Sequence, residues 1–127
     1  MWKWLLMALA IPALLLMMRG HASADGAISA AQAATLIKDK KDLQLIDVRT
    51  AGEYAEGHLI NSKLIPLQEL DQRLAELDKS KPVLLYCRSG HRSGNALKIL
   101  QGKGFANAKH IEGGIIAWQA AGLPVTH

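Results

Sequence analysis

Short apolar runs alternate with amphipathic segments from residue 28 onward. Ser29 and Gln32 have capping-box spacing, and Ala33, Leu36 and Ile37 then mark one face, which predicts a helix ending near Lys40. "LQLIDV", Leu43 to Val48, is short, apolar and β-branched, a strand. Thr50 and Glu53 repeat the capping-box spacing, and Gly57 closes a helix of about two turns. "KLIPL" reads as a brief strand closed by Pro66, and Leu67, Leu70, Leu74 and Leu77 then recur at helical spacing as far as Asp78. The continuous run Val83-Leu84-Leu85-Tyr86 predicts a strand buried on both faces. A helix from Ser93 to about Lys103 meets its stop signals at Gly102 and Gly104. "NAKHI" is a weak strand, and "GGIIAWQAAG" a short last helix with Trp118 as its core anchor. Strands that alternate with helices imply right-handed crossovers and a parallel sheet, hence an α/β domain. Ligands of such sheets bind beyond the carboxyl ends of the strands. Cys87 stands there, between the strand ending at Tyr86 and the following helix.

The first 24 residues do not follow this alternation. Lys3 gives a positive start, Leu5 to Met18 is apolar with Pro12 inside it, and Ala22-Ser23-Ala24 is a small-x-small triplet. That order predicts a secretory signal peptide cut after Ala24. The other reading, a retained anchor, fits less well because the run is shorter than the roughly 20 residues that span a bilayer. The expected organisation is therefore a cleaved signal over 1–24 and one domain over 25–127, exported to the bacterial periplasm without stable membrane association. Loss of Lys3 and Arg19 with the signal lowers the net charge from +4 to +2. No Lys/Arg cluster is interleaved with aromatics, which excludes nucleic acid as a partner. All four methionines leave with the signal too, so Cys87 carries the only sulfur of the mature chain.

An exported domain normally pairs its cysteines. An unpaired one is an intermolecular bridge, a reactive thiol, or an inert core residue. The surroundings favour the second. Cys87-Arg88-Ser89-Gly90-His91-Arg92-Ser93 joins a strand to a helix start. Gly90 permits a backbone turn that points successive N–H groups inward as an anion nest. The helix start adds its positive end, and Arg88 and Arg92 add formal charge. All of these favour a thiolate and would bind an anionic substrate beside it. His91 is an acid/base candidate or a solvent-facing residue. His58, His110 and His127 show no metal-ligand spacing, so neither metal nor cofactor is expected.

Three blocks in order resemble the single-domain rhodaneses, a sulfurtransferase family. "LIDVRTAGEYAEGHLINSKLIPL", Leu45 to Leu67, resembles the first signature, "YCRSGHRS" the active-site loop, and "EGGIIAWQAAGLPV" the closing block. Asn61-Ser62 stands where the family usually has Gly-Ala, a departure expected to be a local packing matter. The resemblance implies a five-stranded parallel sheet flanked by helices on both faces. It implies that Cys87 is the nucleophile, taking sulfur from a small anionic donor such as thiosulfate and passing it, as a persulfide, to a thiophilic acceptor such as cyanide or a thiol. Arg88 and Arg92 would hold the donor, and the loop N–H groups through Ser93 the persulfide. For Asp47 and Arg49 two roles stand side by side, support of the loop by hydrogen bonds and simple structural pairing. A sulfur relay to a partner protein is the alternative use of the same chemistry. Cysteine phosphatases share the fold but place five residues between Cys and Arg. Here there are four, a smaller cradle suited to one sulfur. Arsenate reduction would ask for further resolving thiols.

Overall fold

The computed structural model describes residues 26–127; the expected signal peptide lies outside the described residues. The strands are β1 (Ala27–Ile28), β2 (Gln44–Asp47), β3 (Lys63–Leu64), β4 (Val83–Tyr86) and β5 (Ala108–Ile111). The helices are α1 (Ala30–Asp39), α2 (Ala51–Glu56), α3 (Leu67–Leu70), α4 (His91–Gly102) and α5 (Gly114–Ala120), with a 3-10 stretch over Asp71–Glu76. All strand pairings are parallel, in the order β1-β5-β4-β2-β3. Both capping boxes form, Ser29 with Gln32 and Thr50 with Glu53.

Central β4 is buried along its whole length. Successive side chains of a strand point to opposite faces, and the core divides accordingly. Leu85 packs with Ile46, Leu70, Leu97, Leu100 and Phe105 beneath α3 and α4. Leu84 and Tyr86 pack with Ile28, Ala33, Ile111 and Trp118 beneath α1 and α5. Burying each of these large side chains contributes roughly 1.5–3 kcal/mol. Helices thus cover both faces, which leaves the carboxyl ends of the strands as the place for a site.

Two boundaries differ from expectation, and one strand has no signal in the sequence. The expected helix over 67–78 breaks after Leu70 and continues as 3-10 turns, with non-helical torsions at Arg73. A 3-10 coil has three residues per turn, so Leu74 and Leu77 still reach the core, and burial alone does not separate the two helix types. The helix after Cys87 starts at His91 rather than Ser93, because Gly90 is left-handed and turns the chain directly into it. Edge strand β1 is only two residues long, too short for an apolar period.

Candidate active site

β4 delivers Cys87 to the carboxyl edge of the sheet, where it is 1% exposed. Gly90, at φ +103°, folds the loop back so that its N–H donates to Cys87 Sγ at 3.1 Å. Burial pushes the thiol up. The Ser93 hydroxyl and the N–H groups of Ser93, Gly90 and Ser89 together outweigh it, so Cys87 lies below its ordinary value. That is the chemistry of an activated thiolate.

The loop is backed by α5. Ile115 and Ile116 donate their N–H groups to the carbonyls of Cys87 and Arg88, at 2.9 and 3.2 Å. Such close approach requires glycine at position 114, where a Cβ would stand 2.4 Å from both carbonyl oxygens. The Gly113-Gly114 pair of the closing block is therefore the seat on which the Cys87 loop rests.

Charge comes from three arginines in different settings. Arg88 is exposed on the rim of a cavity of about 380 Å³, with Arg49, Glu53, Ile115 and Ile116 among its walls. Arg92 extends from the first turn of α4 and makes a two-pronged ion pair with Glu53, at 2.7 and 2.9 Å. The Arg92 guanidinium and the Thr50 cap hold Glu53 down to about 2, against burial. Arg49 is buried and pairs with Asp47 through both Nε and Nη2, while Nη2 also donates to the Gly57 carbonyl at 2.7 Å. These bonds tie Arg49 to Asp47 and to the backbone at Gly57. Arg49 also lies over the Tyr86 ring, 5.5 Å from its centre.

Cys87 and Ser89 to Ser93 are thus brought into one turn, while Arg88 points to the neighbouring cavity. Ser89 and His91 are exposed, and Ser93 is fully buried. Sequence reasoning treated Glu53 only as half of a capping box; the fixed partner it offers Arg92 comes from the tertiary fold. It also passed over the Tyr86 hydroxyl, which accepts from Leu59 N–H and shares a hydrogen bond with Ser62 Oγ, both at 3.1 Å. The departure at Asn61-Ser62 acquires a reason here. Asn61 takes the left-handed conformation, at φ 68°, which Asn tolerates better than most residues. Ser62 supplies the hydroxyl that meets Tyr86. Among the described residues no three His, Cys, Asp or Glu side chains group as a metal site.

Comparison with known proteins agrees with this architecture. Residues 29–121 match the Rhodanese-like domain family. A sulfurtransferase of Allochromatium vinosum is 37% identical, over 70% of this chain and 83% of its own. The thiosulfate sulfurtransferase GlpE of Coxiella burnetii is 34% identical, over 73% of this chain and 86% of its own. Other relatives are longer: the chain spans 45% of one from Synechocystis and 60% of one from Bacillus subtilis. A solved rhodanese-related protein from Thermoplasma volcanium superposes with a TM-score of 0.72 at 34% identity, covering 79% of this chain and 96% of that one. With a parallel five-stranded sheet, a buried cysteine cradled at its carboxyl edge and this kinship, the chain belongs to the rhodanese-like domain family.

Proposed function

We propose that this protein is a sulfurtransferase that moves sulfane sulfur from thiosulfate, or a similar anionic donor, to a thiophilic acceptor through a persulfide on Cys87. The observation that carries the reading is the N–H donation from Gly90 to Cys87 Sγ at the start of α4. The Cys87 thiolate attacks the outer sulfur of the donor. The donor's S–S bond breaks, and sulfite leaves with the electron pair. The terminal sulfur of the persulfide anion occupies the nest of N–H groups. Cyanide or a thiolate then takes that sulfur and regenerates the Cys87 thiolate, a double displacement. Arg88 and Arg92 hold the donor's anionic end, Arg92 by sharing its guanidinium with Glu53. The domain is exported to the periplasm after removal of residues 1–24, a reading that rests on the sequence of that segment.

Intact-mass analysis of the full chain after incubation with thiosulfate tests the chemistry. One added sulfur atom, lost again to cyanide with release of thiocyanate, is the expected result, and Cys87→Ser should abolish both. Absence of persulfide and of thiocyanate overturns the proposal. Turnover of an aryl phosphate instead would move the protein to the phosphatases, a reading that the four-residue gap between Cys87 and Arg92 opposes. Mass analysis of the protein recovered from the periplasm, starting at Asp25, tests export.

A further inference from the structure

Three arginines stand at the Cys87 loop and the cavity beside it, and two of them have fixed partners. Arg49 is bound to Asp47, both buried. Arg92 meets Glu53 end-on: Nη1 donates to Oε1 at 2.7 Å and Nη2 to Oε2 at 2.9 Å. Oε1 also accepts from the N–H and the hydroxyl of Thr50, both at 3.1 Å, so the start of α2 holds this carboxylate in place. Arg88 is left, with Glu56 on the wall of the same cavity; both are exposed, and neither has an ion pair among the described residues. Ile115 lines that cavity while its N–H grips the Cys87 carbonyl, which sets the cavity against the loop. Three arginines thus stand against three carboxylates, and the approach to the sulfur has no surplus of formal positive charge. The N–H of Gly90 is turned to the sulfur itself. Arg92 keeps free N–H donors for a substrate's oxygens, since a guanidinium has five and Glu53 takes two. Its charge, though, is already balanced.

We infer that Glu53 is a specificity-determining residue: by balancing Arg92 it fits the site to singly charged sulfur donors of the thiosulfonate class over doubly charged thiosulfate. The inference rests on sulfur transfer through Cys87 and refines which donor supplies it. Complementary charge sets the choice of partner more than raw affinity does. Beside a thiolate, the second negative charge of thiosulfate finds only Arg88 to offset it, and Glu56 shares that wall. With a thiosulfonate, the Cys87 thiolate attacks the outer sulfur, the donor's S–S bond breaks, and the sulfinate leaves with the electron pair. Cys87 keeps the sulfur as a persulfide anion, so two monoanions enter and two remain. Thiosulfate reacts by the same steps and brings one negative charge more. It remains a donor, the less favoured one for its charge.

The test is kcat/KM of the full chain for thiosulfate and for methanethiosulfonate, with cyanide as acceptor and thiocyanate as the readout. Work at about pH 8.5 keeps imidazole neutral throughout the comparison. Glu53→Gln preserves the capping box of α2, because Gln serves at that position as Glu does, and it releases the charge of Arg92. The ratio of thiosulfate to methanethiosulfonate should rise roughly tenfold, through the KM for thiosulfate, the effect of one unit charge at short range in a partly exposed site. Glu56→Gln removes a carboxylate of the same wall that pairs with no arginine, and it should move the ratio much less. A merely structural role for Glu53 would slow both donors alike. An unmoved ratio in Glu53→Gln, or an equal rise in Glu56→Gln, overturns the inference. Should Glu53→Gln fail to fold, ionic strength decides in the wild type. There kcat/KM for thiosulfate should not fall as salt is raised, since a balanced site has no attraction to screen. A steep fall for thiosulfate alone overturns the idea. Absence of persulfide with either donor would remove the proposed function and the inference with it. Persulfide from both, at a ratio that Glu53→Gln leaves unmoved, removes the inference alone.

Discussion

Glu53 carries two duties on one carboxylate. It closes the capping box of α2 by accepting from Thr50 N–H, and it holds the Arg92 guanidinium beside the Cys87 loop. Its ordinary value is 4.5, and Arg92 and the cap bring it to about 2 in the folded protein. A depressed carboxylate contributes stability that is present in full above its unfolded value and is lost as pH falls through its folded one. Glu53→Gln should therefore melt a few degrees below wild type above about pH 5, and the gap should close between pH 4.5 and 2. Thermal melts across that range check it. Tyr86 tests a different kind of residue. Its buried hydroxyl serves Leu59 N–H and Ser62 Oγ, so Tyr86→Phe strands two polar groups in the interior. The expected cost is about 1–3 kcal/mol in urea unfolding.

Among the elements, α5 has the most direct hold on the site, since its first turn fixes the backbone of Cys87 and Arg88. Gly114→Ala would drive a methyl group into two carbonyl oxygens and also strain a left-handed backbone. It should cost about 2 kcal/mol or more, and sulfur transfer should fall further than stability does, as parallel activity assays and melts would show. The sequence made much of this level legible. Capping boxes at Ser29 and Thr50 and the unbroken run of β4 are short-range signals, written in adjacent residues. The Cys87 loop was legible for the same reason: its donors lie within six positions of the sulfur. Long-range relations stayed hidden. Nothing near Arg92 in the sequence names Glu53, and nothing near Ser93 names His110, whose Nδ1 lies 2.9 Å from its hydroxyl. The break at Leu70 was hidden because three-residue and 3.6-residue coils present the same leucines to the core.

At the scale of the molecule, one sheet separates two apolar layers, and the central strand contributes to both. Leu84 belongs to the layer beneath α1 and α5 and Leu85 to the layer beneath α3 and α4, each fully buried. Leu84→Ala and Leu85→Ala should each cost about 2–5 kcal/mol. Because both layers share β4, each variant should unfold in one transition, with Trp118 fluorescence and far-UV circular dichroism coincident. Two separated transitions would mean that the layers melt independently. The backing of the Cys87 loop by α5 also has a bearing on how the chain is made. Synthesis proceeds from the amino end, so Cys87 emerges before Gly114, Ile115 and Ile116 exist to grip its carbonyls, and before Thr126 can bridge to His58. Until then the donors of the Cys87 loop, though local in the chain, have no seat to hold them in place. The cradle around the sulfur is therefore complete only when the last helix docks.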